Sequence, residues 1–177
     1  LIPGSHEGRG IGNKFLDDIR QASVLIQVVD ASGLTDEEGR PTEGFDPEKE
    51  IRFLEDEINL WFEGVIKRNL EKTKLPPGEA DLINLLHEKL SGLEVTKEQL
   101  SIALKKSPIS NVAEFAKTLR ELSKPILIAT NKIDLTPAQK TFDRLKGNYK
   151  LIPTSAESEI ALKKAAEKNL KLAEVGS

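Results

Sequence analysis

Asn131-Lys132-Ile133-Asp134 and Thr154-Ser155-Ala156 are the residues whose types and spacing best suit a chemical task. A carboxylate at a strand end, such as that of Asp134, can accept two hydrogen bonds at once. The N1–H and exocyclic amine of guanine offer that pair of donors. Adenine does not, so the carboxylate would be left unpaired in a half-buried site. Sites built on such a polar edge discriminate on the order of 10⁴-fold in the best cases. The stem of Lys132 can lie along one face of the base while its ammonium reaches polar groups. The Asn131 amide can tie neighbouring loops together. A backbone N–H of the 154–156 turn can meet the guanine O6. By itself, Asn-Lys-any-Asp arises by chance in roughly a few per cent of chains this long. Its plain reading is a strand-end turn whose Asp caps the helix opening at Thr136. The context favours base recognition: one apolar run leads into Asn131 and a second leads into Ser155-Ala156.

Those runs imply the elements that hold the loops. Residues 24–29, 125–129 and 149–153 are short and rich in aliphatic and β-branched side chains, as buried parallel strands are. Asp30, Asn131 and Ser155 then fall at or just beyond strand C-termini, the edge where open α/β sheets bind ligands. Helical patterns lie between the strands. One covers about 10–22. Another starts at Asp46-Pro47 and places Ile51, Leu54, Ile58, Trp61, Phe62 and Val65 on one face, with Glu55, Asp56 and Glu57 on a solvated side. Pro76-Pro77-Gly78 breaks the chain. Leu82, Leu85, Leu86 and Leu90 follow, with Gly92 as the expected C-cap. Thr96 to Gln99 fits a capping box. Further helices are expected over 111–122, from Thr136-Pro137 (an N-cap followed by Pro at the first helical position) and over 158–171. The expected fold class is α/β: a parallel sheet carried by residues 1–43 and 109–177, with an α-helical insertion at 44–108.

The 177 residues are 38% hydrophobic and 31% charged, which suits a folded, charge-rich domain. A net charge of -3 argues against broad electrostatic binding to nucleic acid. No apolar run approaches the roughly 20 residues that span a bilayer, so no membrane partner is expected. With no cysteine there is no disulfide framework and no thiolate metal site. His6 and His87 lie far apart and give a metal hydrolase little support. The absence of methionine, and an opening Leu1-Ile2-Pro3-Gly4 that reads as mid-chain, lead to the expectation of a fragment.

The order strand, Asn-Lys-any-Asp, strand, Ser-Ala resembles the P-loop GTPases of the translation-factor-related class. The stretch from Leu1 to Leu16, LIPGSHEGRGIGNKFL, resembles the second switch of Obg-related GTPases. With Asp17-Asp18-Ile19-Arg20 and Val28-Val29-Asp30-Ala31-Ser32-Gly33, it is most similar to the archaeal YchF-like branch. The resemblance covers nearly the whole chain, including Leu90-Ser91-Gly92-Leu93 and the run into Lys124-Pro125.

The resemblance implies a partial P-loop NTPase fold, an Obg-type G domain with an inserted helical region. It assigns guanine binding, as GTP or GDP, to Asn131, Lys132, Asp134, Ser155 and Ala156. The intact Asn-Lys-any-Asp motif points to GTP, since bacterial and eukaryotic YchF-type proteins often alter it and prefer ATP. The resemblance places Leu1 where many GTPases carry a water-orienting Gln. Leucine cannot polarise water, so unassisted hydrolysis should be slow, and His6 is a weak catalytic candidate. Gly4, Gly8, Gly10 and Gly12 are the expected hinges of a switch.

Gly-any-any-any-any-Gly-Lys-Ser/Thr, which cradles phosphates, does not occur in this sequence. The TGS domain of YchF-like proteins is also missing. Mg2+ is therefore expected only through residues of a longer parent, with no metal ligands in this chain. The isolated chain is expected to bind GTP poorly. A cytoplasmic location and a ribosomal or other RNA–protein partner come from the resemblance alone. The competing expectation is a non-enzymatic helical interaction module without nucleotide binding.

Overall fold

The computed structural model describes residues 18–36 and 38–167. Of the helix expected over 10–22, the described part is helical at 18–21. Among the described residues three strands form one sheet: β1 (Leu25–Asp30), β2 (Ile126–Asn131) and β3 (Leu151–Pro153), in the order β1-β2-β3. β2 and β3 are parallel, with Ile128 opposite Leu151 and Thr130 opposite Pro153. The Leu25 N–H donates to Pro125 O at 2.9 Å, and the Ala31 N–H donates to Asn131 O at 3.2 Å. Both chains advance by the same number of residues between these bonds, so β1 also runs parallel to β2. Asp30, Asn131 and Pro153 therefore end their strands on one edge of the sheet. The three expected strands and their parallel sense are present.

Burial of the strands differs from expectation. β2, the central strand, is buried at Ile126, Ile128, Ala129 and Thr130. Among the described residues β1 lies at the edge of the sheet, with one covered face. Val29 is 1% exposed, whereas Ile26 and Val28 are 64% and 67% exposed. Successive side chains of a strand point to opposite faces, so an aliphatic run does not by itself show that both faces are covered.

The helices are α1 (Glu48–Leu70), α2 (Glu79–Lys89), α3 (Lys97–Lys106), α4 (Val112–Ser123), α5 (Thr136–Leu145) and α6 (Ala156–Glu167), with a 3-10 turn at Ser91–Leu93. The chain divides into two compact units. One takes Leu1–Leu25 and Arg52–Ile126, the other Ile26–Ile51 and Leu127–Ser177.

In the first unit the apolar stripes of the helices make a core. Ile58, Phe62, Ile66, Leu86, Leu100, Phe115 and Leu119 are all fully buried. The Thr96 capping box is formed: Thr96 Oγ1 accepts the Gln99 N–H at 3.1 Å, and Gln99 Oε1 accepts the Thr96 N–H at 2.9 Å. Asn111 caps α4 by accepting the Glu114 N–H. Two local expectations are corrected. Leu90, not Gly92, caps α2, and Gly92 sits inside the 3-10 turn. Glu57, expected on a solvated side, is buried. It lies one helical turn before the buried Trp61, on the same side of α1. Lys124 is also buried, and its ammonium donates to the carbonyls of Arg20 and Ala22 at 2.7 and 2.8 Å. These bonds satisfy the carbonyls that end the 18–21 turn just before β1.

The second unit centres on Val29, Ala31, Ile128, Ala129, Ala138 and Leu145. Thr136 is not the cap of α5. Leu135 occupies that position without a side-chain bond, and Thr136-Pro137 begins the helix itself. Arg144 of α5 forks onto Asp46 at 2.6 Å and Glu48 at 2.8 Å. The hydroxyl of Tyr149 donates to Glu48 at 3.1 Å. In the loop after β1, Gly33 takes a left-handed φ of +66°, and a Cβ there would lie 2.5 Å from Phe45 O. Only glycine suits both requirements.

Candidate functional site

The loops after β2 and β3 lie side by side. Their frame is the parallel pairing of the two strands, extended past the strand ends by backbone bonds. The Thr154 N–H donates to Thr130 O at 3.0 Å, and the Ile133 N–H donates to Thr154 O at 3.0 Å. Thr130 is buried, and its hydroxyl donates to Ile152 O at 3.0 Å. Each loop is therefore laced to the other before its exposed side chains begin.

The five residues expected to recognise a base come together. Asn131, Lys132, Asp134, Ser155 and Ala156 line one notch of about 190 Å³. A neighbouring hollow of about 400 Å³ shares Asn131, Ser155 and Ala156 and continues over Val28, Ala129, Ile133 and Pro153.

Asn131 ties the two loops directly. Its side-chain oxygen accepts the Ala156 N–H at 3.0 Å. That N–H was one of the donors available to a ligand, so the tie and the ligand draw on the same turn. Among the described residues, the Ser155 N–H of that turn has no acceptor. The Ser155 hydroxyl accepts the Ser158 N–H at 3.2 Å and donates to Ser158 Oγ at 2.8 Å, while Ser155 O accepts the Glu159 N–H. Ser155 thus caps α6, and the positive end of that helix dipole faces the notch.

Asp134 is exposed at the mouth of the notch. Among the described residues no group donates to its carboxylate, which leaves both oxygens available as acceptors. The turn that carries it is closed by the Leu135 N–H, which donates to Lys132 O at 2.9 Å.

Lys132 has a backbone φ of 64°, in the left-handed region. For a residue with a side chain this costs on the order of 1–2 kcal/mol and persists where surrounding bonds dictate it. Its ammonium lies 2.7 Å from Asp30 Oδ2 at the end of β1. Asp30 is itself well held. Oδ2 also accepts the Thr35 hydroxyl at 2.6 Å, and Oδ1 accepts the Ser32 N–H at 2.9 Å and the Ser32 hydroxyl at 2.6 Å. Burial would push the Asp30 carboxyl upward, but Lys132 and the three donors from Ser32 and Thr35 outweigh it and hold the group at about 2. The sequence placed Asp30 at a strand end but did not link it to Lys132. The only available signal was the adjacency of β1 and β2.

Leu1, His6, Gly4, Gly8, Gly10 and Gly12, expected in a switch segment, lie outside the described residues. Among the described residues, no group of three or more His, Cys, Asp or Glu could hold a metal ion. No helix among them is long and apolar enough to cross a membrane.

Residues 129–172 match a family described as Obg-like GTPase YGR210-like, G4 motif-containing domain. The chain is 46% identical over 176 residues to an uncharacterized GTP-binding protein of Methanocaldococcus jannaschii, covering 93% of this chain and 45% of that protein. It is 32% identical over 197 residues to an uncharacterized GTP-binding protein of Schizosaccharomyces pombe, covering all of this chain and 47% of that protein. Among solved structures it is similar to a GTP binding protein from Pyrococcus horikoshii OT3. The TM-score there is 0.67 at 34% identity, over 92% of this chain and 50% of the other. The chain spans about half the length of these relatives.

Proposed function

We propose that the chain belongs with the Obg-like GTP-binding proteins it is similar to, and that the notch between the β2 and β3 loops binds the guanine base of GTP or GDP. The observation that carries this reading is the convergence of Asn131, Lys132, Asp134, Ser155 and Ala156 on one small notch. Asp134 supplies two acceptors for the N1–H and exocyclic amine. The 155–156 turn supplies a backbone donor for O6, and the stem of Lys132 covers one face of the base. Adenine would present no donor pair to Asp134 and would leave that carboxylate unpaired.

For the whole protein we propose a GTPase switch of the YchF-like branch, of which this sequence is a part. Hydrolysis, a cytoplasmic location and a ribosomal or RNA–protein partner rest on the sequence resemblance alone. Mg2+, which accompanies nucleotide triphosphates, has no matching ligand set among the described residues.

Replacing Asp134 with Asn tests the assignment. The amide can donate to the C2 carbonyl of xanthine and accept its N1–H, but it cannot accept both guanine donors. D134N is expected to lose preference for guanosine over adenosine and gain one for xanthosine, measured by competition titration. Unchanged guanosine selectivity would remove Asp134 from the site.

A further inference from the structure

We propose that Asp30 is the positioning residue that sets Lys132 as the wall of the base notch, an inference that rests on the guanine-binding reading above. Lys132 stands on a strained, left-handed turn, and its side chain is 40% exposed. A lysine stem has four rotatable carbons and, held only at its backbone, would sample many rotamers. The contact with Asp30 Oδ2 fixes its far end. The stem is then pinned at both ends and lies as a fixed surface beside Asn131 and Asp134.

Asp30 can fix it because the carboxylate is itself immobile. Ser32 and Thr35 occupy it from the loop after β1 through three hydrogen bonds, leaving Oδ2 aimed at the ammonium. A carboxylate on a mobile side chain would add its own disorder to that of the lysine. The two partners sit on adjacent strand ends, so the sheet fixes the distance between their backbones. The ion pair thereby makes β1 and its loop part of the base site, although Asp30 is not among the residues lining the notch.

The test is a double-mutant cycle on the full 177-residue chain, with guanosine as the probe. Asp30→Asn removes the charge that holds the ammonium. Lys132→Met keeps an apolar stem and removes the ammonium. Each single variant is expected to bind guanosine about ten-fold more weakly, the loss expected when a pinned stem regains its rotamers. The double variant is expected to bind no more weakly than either single, because both remove the same restraint. Additive losses would mean that Asp30 acts independently of Lys132 and would overturn the proposal. Unchanged guanosine binding by D30N would also overturn it. If the parent chain fails to bind guanosine at all, the base-site reading falls and takes this proposal with it. Should D30N fail to fold, the Asp30 carboxyl carbon can be titrated by NMR in the parent chain and in K132M. The proposal expects its midpoint to rise when the ammonium is removed, and an unmoved midpoint would overturn it.

Discussion

The side-chain oxygen of Asn131 accepts the backbone N–H of Ala156 at 3.0 Å, joining the loop after β2 to the turn that opens α6. This bond adds a side-chain tie to the backbone bonds that already hold the two loops side by side. Its partners come from residues 25 apart in the chain. Asn131→Ala leaves the Ala156 N–H without its acceptor and should lower stability by about 1 kcal/mol in urea unfolding, the usual net worth of such a bond. It should also weaken guanosine binding, because the turn is no longer held against Asp134. A variant with unchanged urea midpoint and unchanged binding would show that the bond does not hold the loops in solution.

The pH dependence of Asp30 follows from its depressed carboxyl. In the unfolded chain an Asp titrates near 3.9, roughly, and in the folded chain this one is held at about 2. Below 3.9 the unfolded state therefore takes up the proton first. The stabilisation is complete above that value and is lost as pH falls through about 2. Parent chain and D30N should differ most in denaturant midpoint near neutral pH, and the difference should shrink between pH 4 and pH 2. A gap that stays constant down to pH 2 would contradict the depressed Asp30 carboxyl.

Gly33 tests the loop that carries Ser32 and Thr35. Its φ of +66° alone makes Gly33→Ala cost about 1–2 kcal/mol. A Cβ 2.5 Å from Phe45 O forces a further shift of backbone against backbone. Thermal unfolding of G33A should therefore fall by several degrees, more than for Gly39→Ala, where nothing lies within 4 Å of the added atom. Equal losses at the two glycines would show that the crossing at Phe45 is not tight.

Much of this arrangement was legible in the sequence because its signals are local. An apolar run followed by Asn-Lys-any-Asp marks a strand end, and Thr96 with Gln99 marks a helix start. Both are found in place. The ion pair of Lys132 with Asp30 was not legible, since the two lie 102 residues apart and meet only because β1 and β2 are neighbours. The left-handed φ of Lys132 was not legible either, since a lysine carries no local signal for that conformation. Glu57 and Val28 show the opposite failure. Residue type suggested a solvated Glu57 and a buried Val28, and the packing around them reversed both.

Guanine recognition by this notch, as proposed above, is open to direct measurement. The most direct measurement is a backbone-amide NMR titration of the 177-residue chain with guanosine and, separately, with adenosine. Nucleosides are the right probes because the sequence contains no phosphate-cradling loop. Guanosine is expected to shift the amides of 131–134 and 155–156, and adenosine at the same concentration is expected to leave them in place. Equal shifts with both nucleosides, or guanosine shifts confined to residues outside these two loops, would contradict the account.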